Sequence, residues 1–430
     1  MEKFKWELAP ILDQRFPLTL ETLKKMKKLR FLHLIDFRNP YGSFDNSFKD
    51  LRWLYWERCP LQYFPPEFKP INLGMLELRF SQLRTMELSM VFQKLKILNM
   101  AYSQYLVTTP DFNMLPSLVD LSFEYCTALK QIHRSIGRLA RLVSLNLVDC
   151  SKLASLPETI GNLKALKHLN LCRCVSLEKL PEELVNMESL ENLHINMAGL
   201  KNLPHSIHLL SNLIELDVAH NSELMTLPDN ICKLRSLKVL DVSACKNLKA
   251  LPGDLGDITS LRVLRMTATS VSDLPGSIGN LSNLVELRLD RNPNLESLPD
   301  TICNLRSLEI LSIGSCEKIK ELPGQMWKIT SLRVLTLRRT TMLKVELNQI
   351  PISLEMLDLS YNAFTALPLG ISRLTNLECL QVEGCSELLS IEELPPNLEK
   401  LCAYGCPYMT LKQLEILKLT SFSGLQVIVD

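Results

Sequence analysis

The chain has 430 residues, with 48 lysines and arginines against 47 aspartates and glutamates, so its formal net charge is +1. This balance excludes the strongly basic surface by which proteins hold nucleic acids or anionic membranes. No run approaches the roughly 18 apolar residues of a membrane span, and the first residues, MEKFKWELAP, lack the order of a secretory signal. The sequence therefore predicts a cytoplasmic or nucleocytoplasmic protein with no nucleic-acid partner and no membrane span.

Residues 1–28 form an N-terminal lead-in that contains the basic segment LETLKKMKK. We expect this segment to be helical. It precedes a long series of repeats, and the first and last units of such a series need a cap over their exposed hydrophobic ends. The lead-in is therefore predicted to be the N-terminal cap.

A repeat with the spacing L-x-x-L-x-L-x-x-C fills residues 29–406 in about 17 units. Successive units begin 21 to 24 residues apart, at Leu29, Leu51, Leu73, Leu95, Leu118, Leu142, Leu166, Leu190, Leu213, Leu237, Leu261, Leu284, Leu308, Leu332, Leu354, Leu377 and Leu398. Self-similarity at this period is the signature of a leucine-rich-repeat solenoid. The sequence predicts an α/β solenoid, a leucine-rich-repeat horseshoe with a concave parallel β-sheet and convex short helices or 3₁₀ segments.

The ninth position of the unit is a small side chain that can form hydrogen bonds in all repeats except two, where it is Phe37 or Ala198. It is cysteine at Cys59, Cys126, Cys150, Cys174, Cys245, Cys316, Cys385 and Cys406, and asparagine at Asn221, Asn292 and Asn362. A buried turn leaves backbone groups without partners, and such a side chain can satisfy them. No pair of cysteine pairs with zinc-site spacing is present. These thiols are therefore predicted to be structural.

The last residues, 407–430, are predicted to form a C-terminal cap. They contain a shortened unit that starts at Leu414, followed by an apolar tail that could pair as a last strand. The complete chain is thus predicted to be one elongated domain of lead-in, repeats and cap.

No motif for catalysis or nucleotide binding occurs in the sequence. There is no G-x-x-x-x-G-K-[ST] loop, no H-E-x-x-H and no G-x-S-x-G, and the seven histidines are scattered. We therefore expect no enzyme activity, no catalytic residue, no cofactor and no metal site. Metal binding by two histidines of neighbouring repeats, His168 and His194, is the alternative to a solvated surface.

Two groups of outward positions are candidates for protein binding. The first, the aromatic patch, consists of Trp53, Tyr55, Phe80, Tyr102 and Tyr125, with Phe31, His33 and Met75 beside them. Exposed aromatic side chains are frequent in interface hot spots. The patch could bind a separate partner, or it could pack on a domain outside this sequence, and both interpretations stay open.

The second group, the arginine patch, consists of Arg265, Arg288, Asp290, Arg291, Arg338 and Arg339. Its arginines could bind acidic side chains. Glu215, Asp217 and Asp241 lie just upstream, so the sign of the charge changes along the face and would orient a partner. The alternative is a solvated surface, because exposed charges contribute only about 0–1 kcal/mol each.

Several segments resemble the leucine-rich region of plant intracellular immune receptors of the TIR-NB-ARC-LRR class, of the tobacco mosaic virus resistance protein type. The most specific is a match to L-R-x-L-x-W-x-x-x-P-L by Leu51, Arg52, Leu54, Trp56, Pro60 and Leu61. The segment Thr109-Pro110-Asp111-Phe112 is a second mark. The likeness covers nearly the whole chain and is most specific over about residues 20–160.

This resemblance implies a role in plant defence and innate immunity: a sensor region that recognises a pathogen effector and restrains a neighbouring nucleotide-binding switch. The partners would be an effector, a signalling protein or the NB-ARC-type domain of a receptor. The family's TIR, NB-ARC and jelly-roll-like domains are not in this sequence, so we expect a fragment, a truncated decoy or adaptor, or a repeat module expressed alone. The alternative function is a free-standing scaffold or regulatory subunit for an enzyme or small GTPase.

Overall fold

The computed structural model describes residues 19–26, 28–37, 44, 48–340, 349–391, 393–408 and 425–428. The chain divides into two compact units, Met1–Ser151 and Lys152–Asp430. Residues 1–18 of the predicted N-terminal cap and residues 409–424 of the predicted C-terminal cap, which include Leu414, lie outside the described residues. The division into cap, repeats and cap stays a prediction.

The described residues of the first unit contain one short helix and six strands. The helix, α1 (Leu20–Lys24), begins at Thr19, whose side chain accepts a hydrogen bond from the backbone N–H of Thr22. The strands are β1 (Phe31–Ile35), β2 (Trp53–Glu57), β3 (Met75–Glu77), β4 (Ile97–Asn99), β5 (Asp120–Ser122) and β6 (Ser144–Asn146). Each pairs in parallel with the next. Two 3₁₀ segments follow strands, at Phe112–Met114 and Arg134–Arg138.

Twelve further strands lie in the described part of the second unit, and each again pairs in parallel with the next. They are β7 (His168–Asn170), β8 (Asn192–His194), β9 (Glu215–Asp217), β10 (Val239–Asp241), β11 (Val263–Arg265), β12 (Glu286–Arg288), β13 (Ile310–Ser312), β14 (Val334–Thr336), β15 (Met356–Asp358), β16 (Cys379–Gln381), β17 (Lys400–Cys402) and β18 (Gln426–Ile428). The apolar tail thus pairs as a last strand. The predicted solenoid is confirmed.

Nine of the return segments that the structure describes in the second unit are 3₁₀ helices. They are Glu158–Asn162, Glu182–Asn186, Ile207–Leu209, Asp229–Lys233, Leu255–Asp257, Gly276–Asn280, Asp300–Asn304, Met326–Lys328 and Ile371–Arg373. Proline of the Leu-Pro step directly precedes several of them; Pro157, for example, has φ −69° and ψ 146°. Neighbouring segments pack closely. A Cβ added at Gly161 would lie only 2.0 Å from the carbonyl oxygen of Glu183. Glycine is needed there for this approach.

Alternation along each strand separates the core from the outer face of the sheet. The side chains at the fourth and sixth positions of a repeat point inward; Leu145 and Leu147 are at most 1% exposed. The pairing register places the same positions of neighbouring repeats opposite each other, as with Leu240 and Leu264. The leucines therefore stack into continuous rows, while the third, fifth, seventh and eighth positions form the outward face.

The ninth-position side chains form hydrogen bonds with backbone carbonyls, as predicted. The thiol of Cys126 donates to the carbonyl of Met100 at 3.2 Å, and the thiol of Cys316 donates to Leu289 at 3.1 Å. Asn292 donates to Met266 at 2.9 Å and accepts the N–H of Thr269 at 2.8 Å. Burial raises the pKa of the Cys126 thiol to about 12, so it stays protonated and able to donate.

The eighth position of every repeat has a left-handed backbone. Fifteen non-glycine residues there have φ between 51° and 63°, and the remaining two are Gly384 and Gly405. This conformation costs an ordinary L-residue about 1–2 kcal/mol. The N–H of the eighth residue nevertheless bonds the next repeat, as Tyr125 does to the carbonyl of Val148 at 2.7 Å. The turn thus keeps its connection to its neighbour despite the strain.

We expect Leu240→Ala to lower the free energy of unfolding by about 2–5 kcal/mol, because it removes a fully buried side chain and leaves a cavity. The measurement is urea unfolding followed by circular dichroism. Val239→Ala on the same strand is the matched control, since Val239 is only half-buried on the outward face. An equal loss from both substitutions would contradict the division into inward and outward rows.

Gly384→Ala and Gly253→Ala should have opposite effects on stability. Gly384 has φ +62°, and a Cβ there would lie 2.7 Å from the ring of Tyr361, so we expect a loss of at least about 1 kcal/mol. A Cβ at Gly253 meets nothing within 4 Å, and alanine restricts the unfolded chain, so a gain of about 0.4–1 kcal/mol is expected. Thermal unfolding of both variants tests this, and a neutral Gly384→Ala would contradict it.

Candidate protein-interaction surfaces

The strand-borne part of the aromatic patch lies on β1 and β2. Phe31 contacts Trp53 edge to face with ring centroids 6.3 Å apart, and His33 contacts Tyr55 at 4.4 Å. The hydroxyl of Tyr55 donates to Glu57 at 2.7 Å. Burial and then this carboxylate raise the pKa of Tyr55 to about 12. Phe31 is 64% exposed, so these rings form an open apolar surface rather than a core.

The other three aromatic residues form a separate column at the eighth position. Phe80 and Tyr102 stack with centroids 4.6 Å apart and planes 16° apart, and Tyr102 and Tyr125 stack at 4.7 Å and 6°. The guanidinium of Arg79 lies 5.9 Å from the Phe80 ring and 5.7 Å from the Tyr102 ring. The ring faces are therefore occupied by one another and by cations, and a partner meets mainly their edges.

A groove of about 530 Å³ borders this column. Its lining includes Phe80 and Tyr102, together with Arg58, Gln82 and Gln104. Arg58 forms an ion pair with Asp36 at 3.0 Å and lies 5.9 Å from the Phe80 ring. The groove thus combines aromatic edges with amide and charged groups, which is the mixed composition of protein interfaces.

Two members of the arginine patch share one carboxylate. Arg265 on β11 and Arg288 on β12 are directly opposite in the pairing register. The Nε of Arg265 donates to Glu286 at 2.9 Å, and the Nε of Arg288 donates to the same oxygen at 2.7 Å. Burial disfavours ionisation of Glu286, but the two arginines outweigh it and lower the pKa of its carboxyl group. We call Arg265, Glu286 and Arg288 the arginine clamp.

The remaining members of the arginine patch lie apart from the clamp, and one of them supports the backbone of the next repeat. Asp290 accepts the N–H of Gly314 at 2.9 Å, so its carboxylate supports the next repeat. Arg338 lies 4.4 Å above the ring of Tyr361. Arg291 and Arg339 occupy strained eighth positions with φ 58° and 51°, and their side chains are exposed.

Two carboxylates face each other on β9 and β10, beside the clamp. Asp217 and Asp241 are opposite in register, and each accepts the N–H of the residue two positions later, at 2.9 Å. Burial raises the pKa of Asp217, and the charge of Asp241 raises it further. We call Asp217 and Asp241 the acid pair. It is a locally unfavourable arrangement of like charges.

Sequence reasoning missed two residues that organise these surfaces, Glu286 and Arg79. Each is a charged residue at an outward position beside a predicted member of a patch, at the third and seventh positions respectively. The alternation of the repeat could have identified Glu286, because it lies two residues before Arg288 on the same face. The cation–π contacts of Arg79 depend on a left-handed turn that the sequence pattern did not predict.

The described residues contain no group of three or more histidine, cysteine, aspartate or glutamate side chains that could hold a metal ion. His168 instead contacts the side-chain oxygen of Asn192 at 2.9 Å, and His194 lies 3.6 Å from Glu215. Of the cysteines Cys172 and Cys174, the first is half-buried and the second is buried. Among the described helices, none has the length and hydrophobicity needed to cross a bilayer.

Sequence comparison relates the chain to proteins of plant defence. A family model described as a leucine-rich repeat region matches residues 142–266 and 235–350. Disease resistance protein TAO1 of Arabidopsis thaliana is 34% identical over 143 residues, 30% of this chain and 12% of that protein. Disease resistance protein RPS4 of the same plant is 48% identical over 59 residues, 14% of this chain and 5% of that protein. The matches thus span only 5–12% of these relatives.

Structure comparison gives the leucine-rich-repeat fold. The LRR protein LIC12759 of Leptospira interrogans has a TM-score of 0.73 and 26% identity, over 96% of this chain and 99% of that chain. The LRR ectodomain of the Arabidopsis thaliana receptor kinase GASSHO1/SCHENGEN3, solved in complex with CASPARIAN STRIP INTEGRITY FACTOR 2, has a TM-score of 0.58 and 22% identity, over 89% and 48%. The chain has the leucine-rich-repeat fold. Parts of its sequence are similar to plant disease resistance proteins, which confirms the resemblance seen in the sequence.

We expect Asp217→Asn to stabilise the protein near about pH 7. The raised pKa means that the folded state disfavours the ionised carboxyl group. The free energy of unfolding of the wild type therefore falls as the pH rises from the pKa of the unfolded state through the raised pKa of the folded state. Asparagine has no such penalty and can still accept the N–H of Ala219. Urea unfolding should show a difference that shrinks toward about pH 4, where the aspartate of both states takes up protons. A difference independent of pH would contradict this electrostatic origin.

Proposed function

We propose that this protein is a non-catalytic recognition module that binds a protein partner on the outward face of its sheet, and that the partner is a pathogen effector or a defence signalling protein. In a full-length receptor the same module would restrain the nucleotide-binding switch. The observation that carries the proposal is the exposed aromatic surface on β1 and β2, which the stacking of leucines does not require. The similarity to disease resistance proteins supports it.

Stability and surface chemistry come from different side chains in this protein. The inward leucines supply the apolar burial, while Phe31, Trp53 and Tyr55 keep apolar area in water that only a partner could cover. Trp53 also donates to Glu77 at 3.1 Å, so its ring is already oriented and loses little freedom when a partner binds. A cytoplasmic location, where effectors and signalling proteins would meet it, belongs to the same proposal.

Trp53→Ala should weaken partner binding at least about tenfold, because a pre-oriented tryptophan is a typical hot-spot residue. The purified chain is used to capture proteins from infected and uninfected plant tissue, and the dissociation constant of each captured protein is then measured. Trp327→Ala is the matched control, because Trp327 is 54% exposed on the 3₁₀ segment Met326–Lys328 and not on the sheet. Thermal unfolding shows whether either variant is destabilised.

The source of the captured protein distinguishes the two functions that the sequence left open. A partner found only in infected tissue, and lost with Trp53→Ala, supports recognition of an effector or a defence signal. Recovery of a resident enzyme or small GTPase from uninfected tissue would favour the scaffold role instead. Equal binding by the wild type and Trp53→Ala would exclude the aromatic patch as the docking surface.

A further inference from the structure

The arginine clamp is pre-organised before any partner arrives. Two like charges directly opposite on neighbouring strands repel each other. Here Glu286, whose side chain is only 13% exposed, accepts the Nε of both arginines and holds them together. The three groups carry a net charge of +1, and Asp241 on β10 also faces Arg265. Arg288, on the far side from the acid pair, is therefore the member of the clamp that is least neutralised and can still attract an anion.

The terminal nitrogens of the Arg265 and Arg288 guanidinium groups remain accessible to a partner. Arg265 and Arg288 are 39% and 47% exposed. Within the described residues, the terminal nitrogens make one long contact, from Nη2 of Arg265 to Glu286 at 3.5 Å. A guanidinium held through Nε presents its Nη groups outward, the geometry that receives a carboxylate. Little side-chain freedom remains to be lost on binding.

The acid pair continues the same row of the sheet. Asp217, Asp241, Arg265 and Arg288 occupy equal register positions on the four consecutive strands β9 to β12. Strands lie about 4.8 Å apart, so the centres of the acid pair and the clamp are about 10 Å apart. Val239 and Val263 are half-buried on the neighbouring row and lie between Glu215 and Glu286. Two negative and then two positive groups thus form a row that runs beside the two valines.

We propose that this surface binds an α-helix of a protein partner lying across β9 to β12, with an acidic side chain in the arginine clamp and a basic side chain over the acid pair. The proposal rests on the proposed function and names the chemistry of the partner. Two turns of α-helix span about 10.8 Å, so side chains seven residues apart match the row. Apolar residues between them, one helical turn from each, would cover the two valines.

Other occupants fit the spacing less well. In an extended chain, side chains on the same face recur about every 6.6 Å, which falls between the pairs or beyond them. A free phosphate could enter the clamp, but it would add no cation beside Asp217, which lies two strands from Arg265. Asp241 already faces Arg265, and Asp217 faces His194. A helix of mixed charge supplies an anion to the clamp and a cation to Asp217 at once.

A synthetic helical peptide tests the inference directly. The probe is an alanine-rich peptide with Lys and Glu seven residues apart and two leucines between them, and its binding to the full chain is followed by fluorescence anisotropy. The clamp variant R265Q/E286Q/R288Q removes all three charges and keeps polar side chains, so Glu286 is not left as an unpaired charge. Replacing Glu by Gln in the probe should weaken binding to the wild type about fivefold and leave binding to the clamp variant unchanged.

The Lys side chain of the probe and the acid pair provide the control. Replacing Lys by Gln in the probe should weaken binding equally for the wild type and the clamp variant, and should have no effect when the acid pair is changed to D217N/D241N. Moving Glu to five residues from Lys puts it on another side of the helix and should abolish binding. The inference is overturned if the Glu and clamp substitutions do not couple, if the wild type does not bind the probe at about 1 mM, or if inorganic phosphate binds the clamp more tightly than the probe.

Failure of this inference can be told apart from failure of the proposed function. If the clamp variant captures the tissue partner as well as the wild type does, the clamp is not the docking site, while recognition through the aromatic patch still stands. If the peptide couples to the clamp as expected but no partner is captured from tissue, the proposed function fails alone. The thermal unfolding of R265Q/E286Q/R288Q and D217N/D241N confirms that each compared variant is folded.

Discussion

The structure depends on how each repeat satisfies its backbone where the strand turns away from the sheet. A buried carbonyl at this point has no strand partner, and an unpaired buried group costs about as much as a lost hydrogen bond. The ninth-position side chain supplies the missing donor, a thiol at Cys126 or an amide at Asn292. Cysteine and asparagine are equivalent here because both are short enough to be enclosed and both can donate.

Once the buried backbone groups of this turn have hydrogen-bond partners, the residues on the outward face can vary. The leucine rows carry the hydrophobic burial, and the strands are only three residues long in most repeats, so few outward positions affect the core. Asp217 and Asp241 show how far this freedom extends, because the frame accommodates two facing carboxylates that repel each other. Local instability of this kind is typical of positions kept for binding rather than for folding.

The repeat period, the parallel sheet and the structural role of the thiols could be predicted from the sequence because they follow from spacing, which is local. The grouping of the patches could not. The aromatic residues were predicted as one surface, yet Trp53 lies on a strand and Tyr102 on a left-handed turn, where stacking fixes its ring. The arginine patch likewise divides, because Glu286 brings Arg265 and Arg288 together while Asp290 supports the backbone. These arrangements depend on side-chain direction across neighbouring strands.

The left-handed residue at the end of each strand bears on how such a surface can diversify. The position holds aspartate, arginine, phenylalanine, tyrosine, methionine, histidine, alanine and serine at nearly the same φ. The conformational cost arises from the backbone and Cβ, which all these residues share, and hardly from the rest of the side chain. Exchanging one for another therefore changes what the column presents to a partner at nearly constant folding cost. A lineage could alter its recognition chemistry one repeat at a time without first acquiring compensating mutations in the core.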